Sequence, residues 1–259
     1  MRLFVEAAGV LAPGLPGWEE TRAVLAAERP FEGGPMVPIE VASLPPAERR
    51  RSSPTVRLAI AAAEQALKGT SRPATDMAMV FASYEAAGVI THQLCEALAG
   101  TREVSPTQFH NSVHNAPSGY YSIAMNVKHA ASSVCRGQWS FAAGLLHAAA
   151  VALADEVPVL FVCYDSPLPR PLSDVMPVIE STAIALVLTH RTGDAALAQW
   201  DIALGPGSGT ADWPVWMPGT WHPNASARGF AALTTLADPA CGRVDLPLSP
   251  ELSVQVRRC

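Results

Sequence analysis

A single cysteine, Cys135, stands in the part of the chain that is best suited to chemistry. It follows the short run at residues 132–134 and precedes an alanine-rich segment that starts at Gln138. A thiol just before the N-terminus of a buried helix lies near backbone N–H groups and the positive end of the helix dipole, which stabilise a thiolate. Cys135 is therefore a candidate nucleophile. Acyl chemistry would also require a base and an oxyanion site.

Histidines are the candidates for such a base. His110 and His114 are four residues apart, with Asn111 and Asn115 beside them. On a helix two imidazoles at this spacing share a face and could bind a metal or move protons. No carboxylate or third ligand lies near them in sequence, so we expect no metal site. His147, on the alanine-rich helix, is interpreted as a core histidine rather than a base.

Composition excludes several classes of protein. The chain has 259 residues, 49% hydrophobic residues and a formal charge of −5, without a long basic run, so we expect no nucleic-acid partner. Its five cysteines are scattered and show no paired spacing, which argues against a disulfide framework or a structural zinc site. We find neither a signal peptide nor a stretch with the apolar length of a membrane span. These features predict a cytoplasmic protein without a cofactor.

Short apolar runs alternate with alanine-rich segments, which indicates an α/β fold with a largely covered sheet. The clearest helix begins with Ser53 as its cap and Pro54 at its first position. Residues 157–163 are almost entirely apolar, as in a central strand buried on both faces. The pattern predicts strands at 3–11, 37–41, 77–83, 157–163, 182–189, 198–204 and 243–256, and helices at 18–28, 53–67, 90–99, 118–127, 142–153 and 226–236.

Several segments resemble the β-ketoacyl synthases of the thiolase fold, in that family's order. They are residues 2–14 (the first strand and its turn), 47–67 (a helix), 105–119 (the dimer-interface segment, which the resemblance implies to be extended around His110 and His114), 131–145 (the nucleophile elbow) and 178–188 (a strand). The resemblance implies a truncated thiolase-like α/β fold, with a mixed sheet and a buried central helix. It also implies one domain over 1–259: a synthase-like core at 1–204, then an irregular loop, a short helix and a terminal strand at 205–259.

The resemblance leaves two alignments of the elbow open. An alignment anchored on residues 132–134 puts Cys135 at the nucleophile position, and one anchored on Gly144 puts Arg136 there. The elbow also includes Ser133, Val134 and Gly137. The ordinary interpretation of Cys135 is a small buried residue, and an arginine cannot attack a thioester. We therefore expect an elbow that has lost its catalytic role.

The histidine pair of the family is missing. A working synthase takes two catalytic histidines from motifs in its C-terminal half, and neither motif is present; the surroundings of His222 match neither. The truncated pattern is similar to small synthase-like proteins of aryl-polyene and xanthomonadin-type pigment pathways. These resemble chain length factors, the non-catalytic partners of a complete ketosynthase in type II fatty acid or polyketide-like biosynthesis. The resemblance thus implies a heterodimer, with the acyl carrier protein contacted through the partner.

The residues expected at the partner interface or along the acyl tunnel share one segment and one helix: Phe109, His110, Asn111, Val113, His114, Asn115 and Tyr120. In this role the isolated chain is not an enzyme. Two other functions remain open. The chain could be an acyltransferase or ketosynthase that uses Cys135 as acyl acceptor, with His110 or His114 as base. It could also be a small-molecule binding module, because folds are reused for unrelated tasks.

Overall fold

One mixed sheet organises the protein. The computed structural model describes residues 1–85, 87–192, 196–207 and 209–259. Its strands are β1 (Arg2–Leu11), β2 (Ala78–Ala82), β3 (Ala131–Val134), β4 (Val159–Asp165), β5 (Thr182–Thr189), β6 (Ala198–Pro206), β7 (Arg243–Pro247) and β8 (Leu252–Arg258). They lie in the order β3-β2-β4-β5-β1-β6-β8-β7. β2 is parallel to β3 and β4, and the other pairs are antiparallel.

Helices cover both faces of this sheet. They are α1 (Trp18–Leu25), α2 (Pro46–Arg51), α3 (Pro54–Lys68), α4 (Gly88–Ala99), α5 (Pro106–Asn111), α6 (Ala116–Met125), α7 (Ser140–Ala154), α8 (Leu172–Val175) and α9 (Gly229–Ala237). α3 and α6 contribute to one core cluster, and α1, α7 and α9 to the other. The mixed α/β fold predicted from the sequence is therefore confirmed.

The central strands show why their sequences are continuously apolar. In β4, Phe161 and Cys163 point into the core layer of α7, whereas Leu160 and Val162 point into the layer of α3. Since successive side chains of a strand face opposite sides, a strand covered on both faces needs apolar residues at every position. This arrangement places the C-terminal ends of β2, β3 and β4 side by side, where the candidate site lies.

The helix α3 forms as its first residues predict. The Ser53 hydroxyl accepts a hydrogen bond of 3.2 Å from the backbone N–H of Val56, and Pro54 occupies the first turn. The helix lies so close to β1 that only glycine fits at position 9. A Cβ on Gly9 would lie 2.7 Å from the backbone nitrogen of Ala66.

The structure corrects four sequence-based predictions. Residues 37–41 are not a strand. The helix that the resemblance indicated at 47–67 is two helices, α2 and α3, separated by Ser52 and Ser53. Residues 106–111, expected to be extended, form α5, which has Ser105 as its cap. The predicted terminal strand at 243–256 is a hairpin of two strands, β7 and β8. Ser208, in the predicted loop at 205–223, lies outside the described residues.

One segment, the helix α7 with the turn before it, is long and apolar enough to span a membrane, although the sequence analysis expected no such stretch. Gly137–Ala154 reaches that length with a mean hydropathy of 1.2, and 44% of it is buried. Phe141, Leu145 and Ala148 belong to the core against the sheet. A core helix of this composition meets the same criterion as a membrane span, so the segment is weak evidence for a membrane.

Candidate functional site

The predicted elbow is a turn that connects the edge strand β3 to α7. Val134 pairs with Ala82 at the end of β2, and Cys135 follows directly. Gly137 has φ +56°, a left-handed conformation that favours glycine. The helix begins at Ser140, five positions after Cys135. Cys135 and Arg136 are therefore both in the turn, and neither belongs to the first turn of the helix.

Ser140 closes this turn. Its hydroxyl accepts from the backbone N–H of Arg136 at 2.8 Å and donates to the carbonyl oxygen of Gly137 at 2.7 Å. The Arg136 guanidinium lies 5.7 Å from the centroid of the Trp139 ring. These hydrogen bonds occupy the N–H of Arg136 and the carbonyl oxygen of Gly137, which could otherwise bind a reacting molecule. The elbow is consequently ordered by its own residues.

Cys135 is exposed, so the expectation that it is a small buried residue is wrong. Its thiol donates to the backbone carbonyl oxygen of Tyr84 at 3.1 Å. Across the described residues, no histidine forms a hydrogen bond with this thiol. A thiol without an adjacent base gains no activation as a nucleophile. The geometry does not supply the base that acyl transfer requires.

A buried carboxylate, Asp165, joins the two segments that flank the elbow. It ends β4 and is fully buried. It accepts hydrogen bonds from the backbone N–H of Tyr84 at 2.8 Å, and from the backbone N–H and the hydroxyl of Ser226 at 2.7 Å each. Burial raises the pKa of Asp165 to about 6, and the hydrogen bonds from Ser226 and Tyr84 oppose this rise.

The polar cluster around Asp165 extends to the neighbouring strand. Thr182, at the start of β5, lies opposite Asp165 and shares a hydrogen bond of 2.5 Å with the Ser226 hydroxyl. The Asn224 amide donates to the Thr182 hydroxyl at 2.9 Å and to the carbonyl oxygen of Glu180 at 2.8 Å. This buried cluster fixes the segment at 224–226 against the sheet.

A separate groove between α2, α5 and α6 contains most of the residues predicted for the partner interface or tunnel. Its volume is about 640 Å³. His110, Val113, Asn115 and Tyr120 line it, together with Leu44, Glu48, Arg51 and Ile123 among others. The His110 and Tyr120 rings meet edge to face at 5.9 Å. Four of the residues predicted from the sequence as one interface or tunnel group therefore lie in one groove.

The other residues predicted for this segment have different environments. Phe109 projects from α5 into solvent. Asn111 is buried, and its amide donates to the carbonyl oxygens of Arg51 and Thr107 at 2.9 Å each, a structural role. His114 is half-buried, and its Nε2 is buried without a hydrogen-bond partner in the described structure. Burial lowers the pKa of His114, so the ring is neutral at neutral pH.

His147 is exposed on α7, so its interpretation as a core histidine is wrong. It lines a second, open groove together with Arg136 and Leu252. Trp216 and Trp221 pack as an aromatic cluster with Phe31 and Phe230, whereas the Trp213 ring stacks on His222. Within the described residues no group of three or more His, Cys, Asp or Glu side chains could hold a metal ion.

Comparison with known proteins assigns the chain to a family. The family model for the β-ketoacyl synthase N-terminal domain matches residues 18–211, more than half of the chain. The protein therefore belongs to this family. A search of the curated proteins found no match.

Solved structures share the fold. A chain from the complex of a ketosynthase with its chain length factor from Xenorhabdus doucetiae is 23% identical, with a TM-score of 0.76 and full coverage of both chains. The ishigamide ketosynthase/chain length factor is 11% identical, with a TM-score of 0.73 and coverage of 100% and 99%. A β-ketoacyl synthase from Burkholderia phymatum is 14% identical, with a TM-score of 0.61; the match covers 82% of this chain and 66% of that one.

The Asp165 cluster is the part of the site that the sequence analysis missed. Its members come from four separate segments, and the hydrogen bonds from Tyr84 and Ser226 span 81 and 61 residues. The available signal was Asp165 itself, a charged residue directly after an apolar strand. A carboxylate at the end of a fully buried strand needs buried donors, and this requirement could have prompted a search for them.

Proposed function

We propose that this chain is a non-catalytic, chain-length-factor-type subunit that pairs with a complete ketosynthase in type II fatty acid or polyketide-like biosynthesis. The observation that carries the proposal is the elbow. Its thiol donates to a backbone carbonyl, and no described histidine forms a hydrogen bond with it. The complete synthase would supply the nucleophile and histidines. Full-length similarity to chains from two ketosynthase and chain length factor complexes supports the same role.

The surface of α5 and α6 is the partner face in this proposal. Phe109 is 65% exposed, Val113 46% and Ile123 80%. Large apolar side chains grouped on one surface mark interaction sites in soluble proteins. The strand β3 lies at the edge of the sheet, and backbone groups of an edge strand can pair with another chain. The apolar face and the open edge together favour a protein partner.

The groove between α2, α5 and α6 would then form part of the wall of the acyl or polyene tunnel. Phe109, His110, Asn111, Val113, His114, Asn115 and Tyr120 remain our predicted interface or tunnel residues. Burial raises the pKa of the Tyr120 phenol, which keeps it neutral at physiological pH. The apolar side chains of this wall, Val113 and Ile123 among them, suit an apolar acyl chain. An aryl-polyene or xanthomonadin-type chain is the substrate class that the sequence resemblance favours.

The setting of the protein is also part of the proposal. We regard residues 1–259 as one domain, since β7 and β8 extend the same sheet as the core at 1–204. The five cysteines are free, which suits a reducing, cytoplasmic compartment. The acyl carrier protein would reach the complex through the synthase subunit. No cofactor is needed for this role.

Co-expression with each complete ketosynthase of the source genome tests the pairing. We expect the two chains to elute together in size-exclusion chromatography as a complex of one copy each. Condensation activity should require both chains, and the isolated chain should show none. If the synthase is fully active and monodisperse without this chain, and never associates with it, the proposal is wrong.

The exposure of Cys135 keeps one alternative testable, an enzyme that uses this thiol as acyl acceptor. We expect Cys135→Ala to leave the condensation rate of the complex within about twofold of the wild type, because the thiol has no base to activate it. Mass spectrometry after incubation with an acyl-carrier thioester should detect no acyl group on Cys135. Stoichiometric acylation, or a loss of roughly a hundredfold or more in rate, would instead identify the chain as a catalyst.

A further inference from the structure

A half-buried arginine beside the elbow has no acidic partner among the described residues. Arg228 ends the 3₁₀ turn Ser226–Arg228, and its Nη2 donates at 2.9 Å to the side-chain carbonyl oxygen of Gln138 in the elbow turn. Its Nε is buried without a hydrogen-bond partner. The ion pairs of the described structure do not include Arg228. This cation is therefore partly removed from water without a compensating charge among the described residues.

Other arginines of this chain show the usual arrangement. Arg72 donates to both carboxylate oxygens of buried Glu6 at 2.8 Å each, and this pairing raises the pKa of Arg72. Arg243 forms a similar pair with Asp245. Burial instead lowers the pKa of Arg228. A charge that is desolvated without a partner costs free energy, and groups perturbed in this way cluster at functional sites.

The surroundings hold this guanidinium in a fixed place. Its central carbon lies 5.0 Å from the centroid of the Trp213 ring, a cation–π contact. The Trp213 ring stacks on His222, with centroids 4.3 Å apart and planes 5° apart. Gln138, which receives the Arg228 hydrogen bond, is exposed at the elbow next to the Cys135 turn. The arginine thus lies between the Trp213 ring and the exposed Gln138 of the elbow turn.

We propose that Arg228 binds an oxyanion, a carboxylate or phosphate group of a small molecule, at the mouth of the elbow. A guanidinium has five N–H donors and matches carboxylate and phosphate oxygens. In the described structure the Arg228 side chain donates one hydrogen bond, to Gln138, which leaves Nη1 for the ligand. In place of a reactive nucleophile, the elbow would then offer an anion site. The inference concerns the isolated chain and does not depend on the proposed partner.

Titration of the isolated chain with malonate and, separately, inorganic phosphate tests the proposal, with sodium chloride holding the ionic strength constant. Tryptophan fluorescence and melting temperature are the readouts. We expect saturable changes with at least one of the two anions. Saturation by malonate alone identifies a carboxylate site, and saturation by phosphate alone a phosphate site. The absence of a saturable change with both anions would overturn the proposal.

The variant Arg228→Gln should weaken the binding by about tenfold or more. Arg50→Gln is the matched control, since it removes the same charge from an exposed position on α2 and should leave the binding unchanged. Equal affinity in Arg228→Gln and the wild type would contradict the assignment.

If Arg228→Gln does not fold, an NMR titration of ¹⁵N-arginine-labelled wild-type protein replaces the affinity measurement on that variant. It follows the Nε–H resonance of Arg228, which is assigned by its loss in Arg228→Lys. That resonance should shift with the same saturation curve, and an unshifted resonance overturns the proposal. Co-expression with the synthase is a separate measurement, so either proposal can fail alone.

Discussion

The double variant Phe109→Asp/Ile123→Asp is expected to lose its synthase partner. Both side chains are large, apolar and mostly exposed on the partner face. Two carboxylates there would have to be buried without partners when the complex forms, and two apolar anchors would be lost. We expect the dissociation constant to rise by roughly a hundredfold or more, equivalent to about 3 kcal/mol. Size-exclusion chromatography and calorimetric titration would measure this loss.

Val215→Asp is the matched control for that variant. Val215 is fully exposed, yet it belongs to the segment between β6 and α9 rather than to α5 or α6. The control should bind the synthase with the affinity of the wild type. Circular dichroism and melting temperature should be unchanged in both variants, since neither alters a buried side chain. Wild-type affinity in the double variant would place the partner interface elsewhere on the molecule.

The fold was predictable where local sequence and burial give the same answer. The cap at Ser53 and the proline after it determined where α3 begins. The apolar runs of β4 and β5 predicted strands covered on both faces, and both are central in the sheet. The prediction of a strand at 37–41 was wrong. A segment with strand propensity forms a strand only when it pairs with a neighbouring strand, and in the described structure this segment has no such pairing.

The candidate site was only partly predictable. The segment at 109–115 and the residue Tyr120 were identified through resemblance. Four of the seven residues predicted there line one groove. Its helix α5 was missed because the resemblance indicated an extended segment, although Ser105 and Pro106 are a cap and a first-turn proline. The contact between Arg228 and Gln138 spans 90 residues. Such contacts have no local sequence signal, since they depend on the order of the strands.

The contacts around Cys135 change the interpretation of the elbow. A thiol near a helix start suggested a thiolate, but the helix begins five positions later and the thiol donates to Tyr84. Tyr84 in turn donates its N–H to Asp165, which also holds Ser226. The position of Cys135 is therefore set through a buried carboxylate at the end of β4. This makes Asp165 a positioning residue of the elbow.

Asp165→Ala is expected to destabilise the protein by about 2–4 kcal/mol at pH 7. The substitution leaves the N–H groups of Tyr84 and Ser226 without their acceptor, while the Ser226 hydroxyl keeps only the weaker contact of 3.1 Å with the Thr182 carbonyl oxygen. Relief from burying a carboxylate offsets part of this cost. Chemical denaturation followed by circular dichroism would measure it. A change in the free energy of unfolding below about 1 kcal/mol would contradict the role assigned to this residue.

The same variant should also change how stability depends on pH. The pKa of Asp165 is raised from 3.8 to about 6 in the folded state. Between these values the folded protein keeps a proton that the unfolded chain releases, so this group's contribution to stability falls as the pH rises from 4 to 6. The free energy of unfolding of the wild type should therefore fall by about 2–3 kcal/mol across this window. Asp165→Ala has no carboxylate there and should not show this fall. The difference in stability between the wild type and the variant should therefore be smaller at pH 6 than at pH 4. Val215→Ala, at an exposed position between β6 and α9, removes no titrating group and should show a gap that does not change with pH. A constant gap for Asp165→Ala as well would mean that Asp165 does not titrate in this window.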